Sequence, residues 1–224
     1  LFPILSRSTQ YPGLLELVRT WQGTGQAVLL DSALPYCVGA LRNDLTTPLL
    51  VLVPRPERAR RLYEDLHVWC GKEAEVYQLL EGETLPLERL MADDPTTHGR
   101  IRALAALLRL DDENHHVPPI VVASLAAMSQ KTLDMDIFQG ASHHVAVGQR
   151  FNLNDLLERW QKMGYRIERA VEVPGTISRR GGILDIYSPS EQLPARIELM
   201  GDMVESIRLF NPTSQLSVKP VDSV

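Results

Sequence analysis

The chain has 224 residues, 44% of them hydrophobic and 23% charged, an ordinary globular balance that allows one large domain or two small ones. Its net charge of −5 sits in residues 1–139, with 13 basic and 18 acidic side chains, whereas residues 140–224 hold ten of each. Neither part has the lysine and arginine excess that sequence-independent phosphate binding needs, so DNA binding by this chain alone is not expected. No apolar run approaches the roughly 18 residues of a membrane span, and Leu1-Phe2-Pro3 lacks a basic-then-apolar leader pattern, so a cytoplasmic location with no membrane partner is expected. Cys37 and Cys70, far apart in apolar or aromatic company, read as buried thiols of a reducing compartment.

From the amino end, Leu14, Leu17, Val18 and Trp21 recur at helical spacing before Gly23. Gln26–Leu30 is short and apolar enough for a buried strand, Leu34–Leu45 is helical after Pro35, and Leu49–Val53 is a second buried strand. Pro56–Trp69 predicts an amphipathic helix with Ala59, Leu62, Leu66 and Trp69 inside and arginines outside. Val76–Leu80 is a third apolar run, Thr97–Leu110 a further helix, Asp111–His116 an exposed loop, and Pro119–Ser124 a fourth strand. Short apolar strands alternating with helices predict a parallel sheet covered on both faces.

In such a unit the connection after the first strand is where a phosphate loop would lie. Here it reads Asp31-Ser32-Ala33-Leu34-Pro35-Tyr36, and no G-x-x-x-x-G-K-[ST] occurs anywhere in the chain. An aspartate at that point repels a triphosphate. The expectation is an NTPase-like α/β domain over 1–139 that has lost its nucleotide site, with an unfamiliar pocket at the strand ends as the alternative.

The second domain is placed at 140–224. His143-Val145-Val147 predicts its first strand, and Gly148–Gly164 a helix capped by Asn152 with Asp155 three residues on. Leu156, Leu157, Trp160 and Met163 form that helix's apolar stripe, and Trp160 reads as core. Tyr165–Val173 is a strand leading into three β-rich runs: Gly182–Tyr187, Ala195–Met200 and Met203–Phe210. Gly201-Asp202 supplies a tight hairpin connection and Ser188–Pro194 a longer reversal, so neighbouring runs pair antiparallel. A helix on a curved antiparallel sheet, with the sheet's far face free to bind, is the predicted architecture.

Side chains alternate across a strand, so Ile197 and Leu199 share one face while Arg196, Glu198 and Met200 share the other, spanning about 13 Å. From spacing alone a solvated face with an incidental methionine is the preferred reading of that row, ahead of a binding surface. Arg179-Arg180 before two glycines is either a charged turn or an arginine fork for a partner's carboxylate. The pairs His115-His116 and His143-His144 lack metal-ligand spacing, and Asp93-Asp94 and Asp111-Asp112 lack a basic or nucleophilic partner. Ser178 and Ser188 belong to no nucleophile motif, so neither a metal nor catalysis is expected.

The order PGTISRRGGILDIYSP, then ARIELMGDMVESIRLFNPTSQ, resembles the second domain of UvrB, which the amino-terminal module of the transcription-repair coupling factors shares. Glu83-Thr84-Leu85-Pro86 is similar to the coupling factors' E-T-L-P run, and the tyrosine-rich stretch and phosphate loop of UvrB are missing, which favours the coupling-factor family. The resemblance implies a degenerate NTPase-like domain followed by a domain that docks on UvrA through two arginines and an aromatic. Those fall on Arg180, Arg196 and Met200, the methionine departing from the aromatic, with Arg179 and Glu198 as auxiliaries. It further implies no cofactor for this segment, ATP and magnesium belonging to the motor of the full-length proteins, and contact with RNA polymerase and DNA only through parts not present here. UvrB proper, or a scaffold whose face is masked by other domains of its own chain, are the alternatives.

Overall fold

The computed structural model describes residues 10–20, 24–45, 47–71, 74–82, 95–108, 118–132 and 134–224. The E-T-L-P run at 83–86, both aspartate pairs and His115-His116 lie outside the described residues. The chain divides into two units, one of Leu1–Glu83 with Ala103–Lys131 and the other of Thr84–Arg102 with Thr132–Val224.

In the first unit, helix α1 (Tyr11–Arg19) and helix α2 (Leu34–Asp44) are tied by the Tyr11 hydroxyl, which donates to Asp44 Oδ2 at 2.8 Å. Burial, reinforced by that carboxylate, pushes the Tyr11 phenol far above its ordinary range. Among the described residues three parallel strands, β1 (Leu49–Val53), β2 (Val76–Leu79) and β3 (Ile120–Ser124), form a sheet in the order β1-β3-β2. The central strand β3 is buried along its whole length, which is why Ile120-Val121-Val122-Ala123 shows no polar alternation. Helix α2 and helix α3 (Pro56–Cys70) cover one face, where Val38, Ala59, Leu62 and Leu66 meet Val53, Val76, Ile120 and Val122. On the other face Ala103 and Leu107 of helix α4 (Pro95–Leu108) meet Val121 and Ala123, next to Ala127 of the short helix α5 (Leu125–Ser129).

Three expectations for this unit need correction. Gln26–Leu30 is not a strand: it runs as coil with Val28 94% exposed, because no described strand lies beside it to take its backbone bonds and apolar character alone does not create a partner. The sheet is covered on both faces only at its centre, since the edge strand β1 leaves Leu50 and Leu52 about half exposed. Trp69, near the end of α3, is also well exposed and stacks edge-on against Tyr36 instead of entering the core. Cys37 is buried and Cys70 half-buried, both as free thiols raised by desolvation.

The second unit is built on a sheet of six described strands in sequence order: β4 (Arg166–Ile167), β5 (Thr176–Arg180), β6 (Ile183–Tyr187), β7 (Ala195–Met200), β8 (Met203–Phe210) and β9 (Ser217–Val221). The β4–β5 pair is parallel and the rest are antiparallel. After a short helix α6 (Met135–Ala141), helix α7 (Leu153–Lys162) packs on one face. Its Leu156 and Trp160 meet Ile177, Leu184, Ile186, Ala195, Ile197, Val204 and Ile207. Asn152 caps α7 as expected, its side chain accepting from the Asn154 N–H at 3.0 Å.

The expected helix start at Gly148 moves to Leu153, because Gly148, at φ 82°, turns a chain that is still bonded to the sheet. Gly148 and Phe151 donate to the Val204 and Asp202 carbonyls at 2.9 and 3.0 Å. The strand expected at His143–Val147 is reduced to a single bridge, Ala146 to Ser223, and that expected at Tyr165–Val173 to the two residues of β4. No helix among the described residues is long and apolar enough to cross a membrane.

Candidate functional site

The β5–β8 register decides what shares the face turned away from α7. Ser178, Asp185, Arg196 and Arg208 lie side by side in one row across four strands, and Arg180, Ile183, Glu198 and Ser206 in the next. Met200 and Met203 close the β7–β8 hairpin beyond them. The positions in those two rows have the opposite parity to Ile177, Leu184, Ile197 and Ile207, which enter the core. A bulge between Glu198 and Leu199 adds local twist without breaking the alternation on β7.

Arg196 and Arg208 stand directly opposite one another, an arrangement that costs energy unless each cation is neutralised. Each has its own carboxylate. Asp185, fully buried, accepts from Arg196 Nε at 2.7 Å and Nη2 at 2.9 Å, a bidentate fork. Asp185 Oδ2 also accepts from Arg180 Nη2 at 2.9 Å. Glu198 accepts from Arg208 Nη2 at 2.6 Å and from the Ser206 hydroxyl at 2.8 Å. The Arg208 hydrogen bond, then that of Ser206, holds the Glu198 carboxyl below its ordinary range.

The two guanidinium groups on Asp185 differ in what they show to solvent. The Arg196 side chain is 17% exposed, lies 4.6 Å over the Phe210 ring, and reaches the Gln215 carbonyl with Nη1 at 3.4 Å. Phe210 itself belongs to a second small core with Val171 and Tyr187 beneath this face. The Arg180 side chain is 54% exposed and is held by the single bond to Asp185. Its backbone is held by the pairing of β5 with β6, whose turn requires the glycines that follow: Gly181 takes φ 61°, and a Cβ on Gly182 would lie 3.0 Å from the Leu199 carbonyl oxygen.

The structure therefore brings Arg180, Arg196, Glu198 and Met200 onto one face. Met200 is 60% exposed there. Arg179 is not with them: it points to the α7 side, where its Nη1 donates to Asn154 Oδ1 at 3.4 Å. Both predicted arginines already hold a carboxylate within the chain, which the sequence reading did not foresee. Asp185 and Arg208 were missed. The signal for Asp185 was present, since a lone carboxylate inside Ile183-Leu184-Asp185-Ile186-Tyr187 demands a cationic partner.

His143 is engaged too, its Nε2 accepting from the Trp160 indole N–H at 2.8 Å. The Ser178 hydroxyl donates to the Arg169 carbonyl at 3.0 Å. No group of three or more metal-ligating side chains gathers among the described residues.

Residues 144–224 match the family model described as the UvrB interaction domain. The chain is 32% identical to the transcription-repair-coupling factor of Myxococcus xanthus over 94% of its own length, and 28% identical to that of Bacillus subtilis over 88%. It is 37% identical to the UvrABC system protein B of Acinetobacter baylyi over 85%. The chain spans only 18%, 16% and 30% of those proteins.

Along most of its length the chain is thus a homologue of the transcription-repair-coupling factors, and residues 144–224 carry the match to the UvrB interaction domain.

Proposed function

We propose that residues 140–224 are the domain through which this chain docks on UvrA, recruiting nucleotide excision repair to sites where RNA polymerase has stalled. Residues 1–139 are the scaffold that accompanies it, an NTPase-like domain without ATPase activity of its own. The observation that carries this reading is the far face of the six-stranded sheet. Inside the matched domain it presents Arg180, Arg208 and Met200 to solvent, each cation braced by an acid of the chain. An arginine held by one carboxylate keeps further N–H donors for a partner's carboxylate, and a neighbouring thioether supplies apolar contact. Acidic groups on UvrA are the complementary chemistry. Contacts with RNA polymerase and DNA, and the ATP and magnesium of a motor, belong to regions outside this chain.

The test is titration of purified UvrA against this 224-residue chain by calorimetry, with Arg180→Ala and the Arg180→Ala, Arg196→Ala double variant beside it. Loss of tenfold or more in affinity is expected for the single variant; the double variant also leaves buried Asp185 without a cation, so thermal melts accompany it and its loss counts only where the domain is folded. Wild-type affinity in the double variant would remove the assignment. A UvrB-type role is the rival that the likeness to the A. baylyi protein favours. The missing phosphate-loop lysine argues against it, and a micromolar ATP titration would restore it. Tighter binding to the isolated chain than to the longer protein would show that other domains mask the face.

A further inference from the structure

We infer that Asp185 is the positioning residue of this docking face: it aims the Arg180 guanidinium at the partner, and Arg196 contributes mainly by holding Asp185 in place. The inference rests on the UvrA-docking reading above and deepens it. A carboxylate on the middle of a sheet is costly to bury, and here it is retained with its side chain 1% exposed. Its three short bonds all come from guanidinium groups, two from Arg196 and one from Arg180.

The two arginines are unequal partners. Arg196 gives Nε and Nη2 to Asp185, turns Nη1 to the Gln215 carbonyl, and lies on Phe210, so its donors are committed inside the domain. Arg180 commits one nitrogen and leaves over half of its side chain in solvent. A long side chain loses rotamer freedom when a partner fixes it. With Asp185 as a fixed acceptor, part of that ordering is already done in the unbound domain. The pairing of β5 with β6 holds the backbone end of the same side chain, and Asp185 holds the other.

The experiment measures UvrA affinity for the wild-type chain, Asp185→Asn, Arg180→Ala and the two combined, with thermal melts alongside. It is joined by the ¹⁵N order parameter of the Arg180 Nε–H in the unbound chain. Asp185→Asn is expected to weaken binding about tenfold or more, and to add under twofold on the Arg180→Ala background. The Arg180 Nε–H is expected to become as mobile as that of Arg61, which is exposed on α3.

A merely structural role would lower the melting temperature but leave the loss undiminished on the Arg180→Ala background, and that overturns the inference. So does an affinity within twofold of wild type in folded Asp185→Asn. Should Asp185→Asn not fold, the comparison passes to Arg196→Gln against Asp185→Asn, Arg196→Gln, which removes both buried charges together. Equal affinity in those two overturns the inference, and a further tenfold loss in the second supports it. If Arg180→Ala itself binds UvrA as wild type does, the docking reading falls and the positioning role with it. If Arg180→Ala loses affinity and Asp185→Asn does not, only the positioning role falls.

Discussion

The two faces of the six-stranded sheet are made rigid by different physics. Under α7 the residues are apolar and interchangeable in kind: Ile177, Leu184, Ile197 and Ile207 are all fully buried and held by area and shape alone. On the far face order comes from bonds between charges, Asp185 with Arg180 and Arg196, and Glu198 with Arg208. Hydrophobic packing fixes a surface by removing it from water, which also removes it from any partner. The charge lattice fixes side chains while leaving their outer ends wet, and so suits a face that must be ordered and available at once. The difference predicts that substitutions on the two faces will separate stability from docking.

The largest effect is expected at the joint between the two systems. Arg196→Met leaves Asp185 buried with only the half-exposed Arg180, and breaking a buried pair costs about 3–5 kcal/mol. Arg196→Glu places a second carboxylate against Asp185 and is expected to unfold the domain, so charge reversal at this position does not report on docking. Chemical denaturation of the two variants, with Arg180→Glu as a folded control, checks the order. On the α7 side, Ile207→Val is expected to cost about 0.5–1.5 kcal/mol by removing one buried methylene. UvrA affinity of the folded Ile207→Val chain should stay within twofold of wild type. A docking defect there would mean that the faces are not mechanically separable.

The same contrast explains what could be read from the sequence. The strands β6, β7 and β8 were legible because alternation and turn residues agree: Ile197 and Leu199 against Arg196 and Glu198, with Gly201 at φ 67° in the hairpin. Helix α7 and its Asn152 cap were legible for the same reason, local signals pointing one way. Gln26–Leu30 misled because apolar composition is local and strand pairing is not. The strand β9, Ser217–Val221, was invisible because its residues are nearly all exposed and Pro220 breaks the pattern.

For the site, resemblance supplied Arg180 and Arg196, but only register reveals that a single aspartate joins them. Arg179 shows the limit of adjacency, since neighbours on a strand face opposite ways and one residue of numbering separates the far face of the sheet from the α7 side.

A smaller effect tests the α7 side through pH. Burial, with Arg159 and His144 nearby, pushes the His143 imidazole below its ordinary value, and the neutral ring accepts the Trp160 N–H. A base with a depressed folded-state pKa is protonated first in the unfolded chain. Stability from this group is therefore complete above about pH 6.5 and declines as pH falls below it. Burial pushes His67 in the same direction, so the measurement is the difference between wild type and His143→Gln. The wild-type chain should lose stability more steeply as pH falls below about 6.5, and parallel curves would remove His143 from the account. Glu198, depressed by its bonds to Arg208 and Ser206, contributes in a lower window, its stabilisation being lost as pH falls from about 4.3 through its folded-state value.

The smallest stability change, and the sharpest test of where the docking face ends, is at Met200. Its side chain is mostly exposed beside Met203, so replacing it should move folding stability by no more than about 0.5 kcal/mol. Binding should respond out of proportion to that. Met200→Phe adds rigid apolar surface, and an extra 20–40 Å² buried against a partner is worth about 0.5–1 kcal/mol, or a two- to fivefold gain in affinity. Met200→Asp puts an anion where a partner with acidic groups would approach, and should weaken binding by a similar or larger factor. Both shifts belong to a face that runs from Arg180 to the hairpin tip. Unchanged affinity in both variants would confine it to the Arg180 and Arg208 rows, and the apolar anchor would have to be sought at Ile183, which lies between Arg180 and Glu198 in the same row.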